Sequence, residues 1–210
     1  MLARWLLPLI LGWSPGLFAL SPAPIILVVG DSLSAAYGMA TASGWVTLLQ
    51  DRLAERGFPH QVVNASISGD TTRGGRSRLT AALARHRPAL VVLELGANDG
   101  LRGLPPEETE RNLAAMIEEV KGRGAQVLLV GIRLPPNYGP VFTERFRAIF
   151  PALAERDGVQ LVPFLLEGVA GRPDLMLEDG IHPRPEAQRR VLDNVWPHLD
   201  PLLRPASPGP

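Results

Sequence analysis

The sequence predicts a doubly wound, three-layer α/β domain on a five-stranded parallel sheet. Three observations carry that expectation. Short runs rich in Val, Ile and Leu recur along the chain, without the polar alternation of a half-exposed strand. Stretches of helical apolar spacing lie between them. Strands buried on both faces read as such continuous runs, and their alternation with helices defines βαβ units. The third observation is length: 210 residues supply one domain with a proper core and are too few for two of ordinary size.

The elements follow in order. Ile25 to Val29 is the first strand, Val62 and Val63 mark a brief second, and Ala89 to Leu95 is the third. Val127 to Ile132 and then Leu161 with Val162 give the fourth and fifth. Trp45, Val46, Leu48, Leu49 and Leu53 share one helical face before Gly57. A second helix starts at the "PPEE" of Pro105 to Glu108 and carries Leu113, Met116, Ile117 and Val120. Phe146, Ile149 and Leu153 mark a helix that Pro151 is expected to kink. Val191, Leu192, Val195 and Leu199 mark a closing helix. The domain is expected to run from residue 24 to 203, followed by a disordered tail, "RPASPGP", at 204–210.

The first 23 residues have the order of a secretory signal peptide: a basic Arg4, an apolar stretch, then small residues from Ala19 to Ala23. An uncleaved anchor is disfavoured, because the apolar stretch falls short of the ~20 residues a spanning helix needs. It is also broken by Pro8, Gly12 and Pro15. The mature protein is therefore expected in the periplasm or outside the cell, with no stable membrane insertion. Lys plus Arg and Asp plus Glu both number 21, so no basic excess invites nucleic acid. The absence of cysteine excludes a thiol nucleophile, a disulfide framework and cysteine-ligated zinc.

Chemistry gathers where strands end. In "LVVGDSLSAAYG" Ser32 lies just past the first strand, at the sheet edge where open α/β folds place ligands. A serine there is a helix cap or, given a base, a nucleophile, and Asp31 is expected to fix the turn. "NASISGDTTRGG" after the second strand offers the Gly69 N–H, and "ELGANDG" after the third offers the Asn98 amide. With the N–H of Ser32 these could converge on an acyl oxygen as an oxyanion hole. His60, His86 and His198 stand among polar or prolyl neighbours and are expected at the surface. His182, in "EDGIHP", has Asp179 three residues before it. One turn can fold that carboxylate onto Nδ1 and leave Nε2 facing outward.

In this order "GDSLS", "SGDT", "GAND" and "DGIHP" resemble the blocks of the SGNH (GDSL) hydrolase family. The resemblance implies Ser32 as nucleophile and donor, Gly69 and Asn98 as oxyanion donors, and His182 as base with Asp179 as its partner. "VVNASISGDT", "LELGANDGLRG", "IRLPPNYGP" and "VPFLLEGV" look like the bacterial thioesterase I, arylesterase and lysophospholipase subgroup, from about Ile25 to Leu203. That likeness implies a flavodoxin-like fold, no metal or cofactor, and a periplasmic setting. It also implies substrates with medium to long acyl chains on small alcohols, aryl groups, lysophospholipids or thiols. An apolar wall for the chain is expected at Leu134, Pro135, Pro136 and Tyr138, after the fourth strand. The segment Thr71 to Arg78 reads as a charged, glycine-rich loop, and the protein is expected to be a monomer.

Three other readings are weaker. A carbohydrate O-deacetylase would draw on aromatic stacking, yet aromatics are 6% of the chain, with Trp5 and Trp13 in the leader. Trp45 and Trp196 read as helix-face core. A flavodoxin-like binding module should show G-x-x-x-x-G-K-[ST] or G-x-G-x-x-G, and neither occurs. The α/β-hydrolase elbow needs a second glycine where Ser34 stands.

Overall fold

A computed structural model describes residues 22–204. The expected leader lies almost wholly outside the described residues, as does the expected tail beyond Arg204. Arg204 itself pairs with Asp200 at 3.0 Å.

Five strands form one parallel sheet: β1 (Ile25–Gly30), β2 (Gln61–Asn64), β3 (Leu90–Glu94), β4 (Gln126–Val130) and β5 (Gln160–Val162). Their spatial order is β2-β1-β3-β4-β5, the flavodoxin-like order. The central strands are buried on both faces, while β2 and β5, at the edges, are partly exposed. Six helices connect or close the sheet: α1 (Trp45–Glu55), α2 (Thr72–His86), α3 (Ala97–Leu101), α4 (Pro106–Gly122), α5 (Pro140–Asp157) and α6 (Gln188–Leu199). Right-handed crossovers send α1 to one face as the chain steps from β1 out to β2. They send α2, α4 and α5 to the other as the chain returns toward β5. In agreement, α1 packs on α6, and α4 packs on both α2 and α5. Trp45, Leu49, Val191 and Val195 fill the first interface; Leu79, Met116, Val120 and Phe146 help fill the second. Among the described residues no helix is long and apolar enough to cross a membrane.

One expectation is corrected here. The segment from Thr71 to Arg78 is a helix start, since α2 begins at Thr72. Thr71 caps it, its hydroxyl accepting the Gly74 N–H at 3.2 Å. The glycines that suggested a loop serve close packing: a Cβ on Gly75 would come within 2.2 Å of Leu95 Cδ1. Helix α5 runs through Pro151 to Asp157. Phe146, Ile149, Phe150 and Leu153 are buried on both sides of the proline, and their packing offsets the one backbone hydrogen bond it removes.

The direction of the chain reverses between β1 and β3. Ser32 follows the first of these strands and Asn98 the second, so both lie at the topological switch point, where doubly wound sheets open a crevice.

Candidate active site

The register of β1 with β3 places Gly30 beside Glu94. A side chain at Gly30 would collide with Glu94 Oε2, 2.7 Å from its Cβ, and with Ser34. That close approach lets the chain turn sharply. Asp31 fixes the turn: one carboxylate oxygen accepts the Leu33 N–H at 3.0 Å and the other the Asn98 amide at 3.1 Å. Ser32 emerges from the turn.

The loop after β5 carries the other partners. Asp179 Oδ1 accepts the N–H groups of Ile181 (2.8 Å) and His182 (3.0 Å), so the carboxylate organises its own loop. Its Oδ2 lies 2.7 Å from His182 Nδ1, and His182 Nε2 lies 2.8 Å from Ser32 Oγ. With the Nδ1 proton donated to Asp179, Nε2 is left to accept the serine hydroxyl. Partial desolvation raises the Asp179 pKa, but the backbone and imidazole donors outweigh it and hold the carboxyl below its ordinary value. Tyr37 lies against the imidazole, with ring centroids 4.3 Å apart.

On the far side of Ser32, Gly69 turns with φ +79°. Neither its N–H nor that of Ser32 has a hydrogen-bond partner among the described residues. Asn98, in the short helix α3, donates to the Asp70 carbonyl at 2.9 Å as well as to Asp31. Arg78, from α2, ties these loops together. It pairs with Asp70 (2.8 Å) and donates to the carbonyls of Ala65 and Gly30 at the ends of β2 and β1. Arg102 donates to the Gly69 carbonyl at 2.8 Å.

Glu94 is fully buried behind this assembly. Its Oε2 accepts from the Ser34 hydroxyl (2.7 Å) and the Asp31 N–H (3.3 Å), while Oε1 has no partner among the described residues. Burial, then the charge of Asp31, pushes its pKa well above the ordinary value. The shift favours the protonated form of Glu94 beside Asp31, itself raised by burial to about 6.

That shift has a measurable sign. Between the ordinary carboxyl value of 3.8 and about 6, the folded protein holds a proton that the unfolded chain releases. By linkage, stability contributed by Asp31 rises as pH falls through that window. His60, whose pKa burial lowers, opposes it below 6.5. Scanning calorimetry from pH 8 to pH 5 should show wild type gaining on Asp31→Asn by on the order of 1 kcal/mol. Identical pH responses would remove Asp31 from the account.

A cavity of about 370 Å³ adjoins Ser32. Leu33, Ala97 and Ile181 line it, and these are the chain neighbours of Ser32, Asn98 and His182. Of the expected wall, Leu134, Pro135 and Pro136 line the cavity, joined by Phe164 and Leu166. Tyr138 does not: its hydroxyl donates to the Leu101 carbonyl at 2.9 Å, tying the Pro136–Tyr138 turn to the end of α3. The surface expectation is also corrected for His60, His86 and His198, all half-buried, with His60 Nδ1 shielded from solvent. Trp45 is buried, whereas Trp196 is only half-buried and lies under Arg52, whose guanidinium is 5.6 Å from the ring.

Sequence reasoning missed Arg78, Glu94, Tyr37 and Arg102. Only Glu94 left a visible signal, as an acidic residue closing an apolar run.

The chain belongs to the GDSL-like lipase/acylhydrolase family, whose model matches residues 28–190. This is the SGNH hydrolase fold and family. Among its relatives, the esterase TesA of Pseudomonas aeruginosa is 57% identical over 181 residues, 86% of this chain and 90% of that protein. The crystal structure of TesA matches with a TM-score of 0.83 at 57% identity, covering 85% of this chain and 99% of that one. An arylesterase of Vibrio mimicus is 52% identical over 83% of this chain and 87% of its own. Thioesterase 1/protease 1/lysophospholipase L1 of Escherichia coli K12 is 45% identical over 89% and 88%.

Proposed function

We propose that the protein is a serine hydrolase of carboxylic esters and thioesters that acts by acyl transfer to Ser32. The observation that carries this reading is the continuous Asp179–His182–Ser32 hydrogen-bond chain, at 2.7 and 2.8 Å, beside an apolar cavity. A hydroxyl attacks an acyl carbon at neutral pH only as a base removes its proton, and His182 Nε2 is in place to do so. Asp179 holds the tautomer and stabilises the imidazolium. The oxyanion is received by the free N–H groups of Ser32 and Gly69, and by Asn98 once one of its two resting bonds is exchanged for the substrate oxygen. The imidazolium protonates the leaving alcohol or thiol. Water, activated by the same base, then releases the acid and restores Ser32.

The cavity is the acyl site, its largely apolar lining suited to medium or long chains. The relatives' activities as esterase, arylesterase, thioesterase and lysophospholipase support that breadth. The leader supports export.

A phosphonate ester tests the nucleophile. One adduct should form, on Ser32, and His182→Ala should abolish it; labelling at another residue would overturn the assignment. The acyl site is tested at its mouth, where Ala170 is exposed. Across p-nitrophenyl esters from acetyl to palmitoyl, with a chelator present, Ala170→Trp should lower long-chain turnover by about tenfold or more and spare the acetyl ester. An unchanged chain-length profile would place the acyl chain elsewhere.

A further inference from the structure

A second concentration of chemistry lies between α2 and α4, in a groove of about 480 Å³. Arg73, Arg76, Ser77, Glu108, Arg111 and Asn112 line it, and none of them lines the acyl cavity. Arg73, Arg76 and Arg111 are exposed and form no ion pair among the described residues. Arg78, two residues along α2 from Arg76, is by contrast engaged with Asp70. Glu108 is the one carboxylate in the lining, so three guanidinium groups leave the groove with a net charge of about two positive. The chain as a whole has a formal net charge of zero.

The helices sharpen the contrast. Arg73 and Arg76 occupy the opening turns of α2, whose first turn carries no acidic residue. A helix start is the end where its dipole disfavours cations and favours anions. Helix α4 opens into the same groove. Both helices follow strands of a parallel sheet, so the groove lies on the sheet edge that also carries Ser32, Gly69 and Asn98. Its floor is built: Asn112, 7% exposed, accepts from Arg76 at 3.3 Å and donates to Thr72 Oγ1 at 3.1 Å. Thr72 in turn donates twice to Asp99, the residue after Asn98.

We propose that this groove binds a phosphate group, held by Arg73, Arg76 and Arg111. Its excess of two positive charges matches a phosphate, and guanidinium forks match phosphate oxygens. The chemistry is shared by a soluble phosphate and a lipid headgroup. The site would anchor a phosphate-bearing ligand beside the catalytic edge, and it stands independently of the ester reaction.

The test compares the whole protein with its Arg73→Gln/Arg111→Gln double variant. Calorimetric titration with inorganic phosphate and co-sedimentation with phosphatidylglycerol vesicles are the two probes. Hydrolysis of p-nitrophenyl acetate, unchanged in the variant, confirms its fold. Wild type should bind at least one probe, with the variant at least tenfold weaker and binding falling as salt is raised. Binding of phosphate assigns a soluble ligand; binding of vesicles alone assigns a headgroup. Equal affinity in wild type and variant, or no binding of either probe, overturns the site. Failure of the esterase reading would show instead in ester turnover.

Discussion

Replacing Ser32 by alanine should lower kcat for p-nitrophenyl butyrate by about 10⁴–10⁶ while leaving KM within a few-fold. Its hydroxyl is the group 2.8 Å from His182 Nε2, and losing it ends acyl transfer to the protein. The acyl cavity is untouched by the change, so ground-state binding persists. Folding should also persist, because the buried bonds of the turn belong to Asp31 and Ser34. Residual turnover would reflect water attacking an ester still polarised by the oxyanion donors. A variant retaining a tenth of wild-type kcat would dismiss Ser32 as nucleophile.

Asn98→Ala should cost about 10²–10³ in kcat, the usual loss for one oxyanion donor. The change should also show in an NMR titration of the Asp31 carboxyl. The Asn98 hydrogen bond is one of the influences that favour the Asp31 anion, so without it Asp31 takes up its proton at higher pH. A fall in kcat with an unmoved Asp31 titration would separate Asn98 from Asp31. A loss expressed in KM alone would mean that Asn98 binds substrate without holding the developing charge.

The sheet was legible because its central strands are covered on both sides, which leaves a continuous apolar imprint in Ile25–Val29 and Leu90–Leu93. The opening of α2 was not, for its "TRGGRSR" has no apolar stripe, and Gly75 is explained only by Leu95, twenty residues on, packing against it. Of the site, the residues carried by short motifs could be read directly, and the structure brings Ser32, Asp179 and His182 together. Glu94 could be seen only as an oddity, since its partner Ser34 lies 60 positions away. Tyr138 was misjudged for a related reason. Proximity in sequence to Pro135 and Pro136 suggested a shared wall, whereas its hydroxyl is claimed by Leu101 across 37 residues.

Ser32 and His182 stand 150 residues apart in the chain. A growing polypeptide therefore presents Ser32 early and His182 among its final segments. Until the loop of Met176 to Pro183 closes on the finished sheet, the hydroxyl is as unreactive as that of any surface serine. Hydrolytic power, on the proposed reading, is thus a property of the completed fold alone.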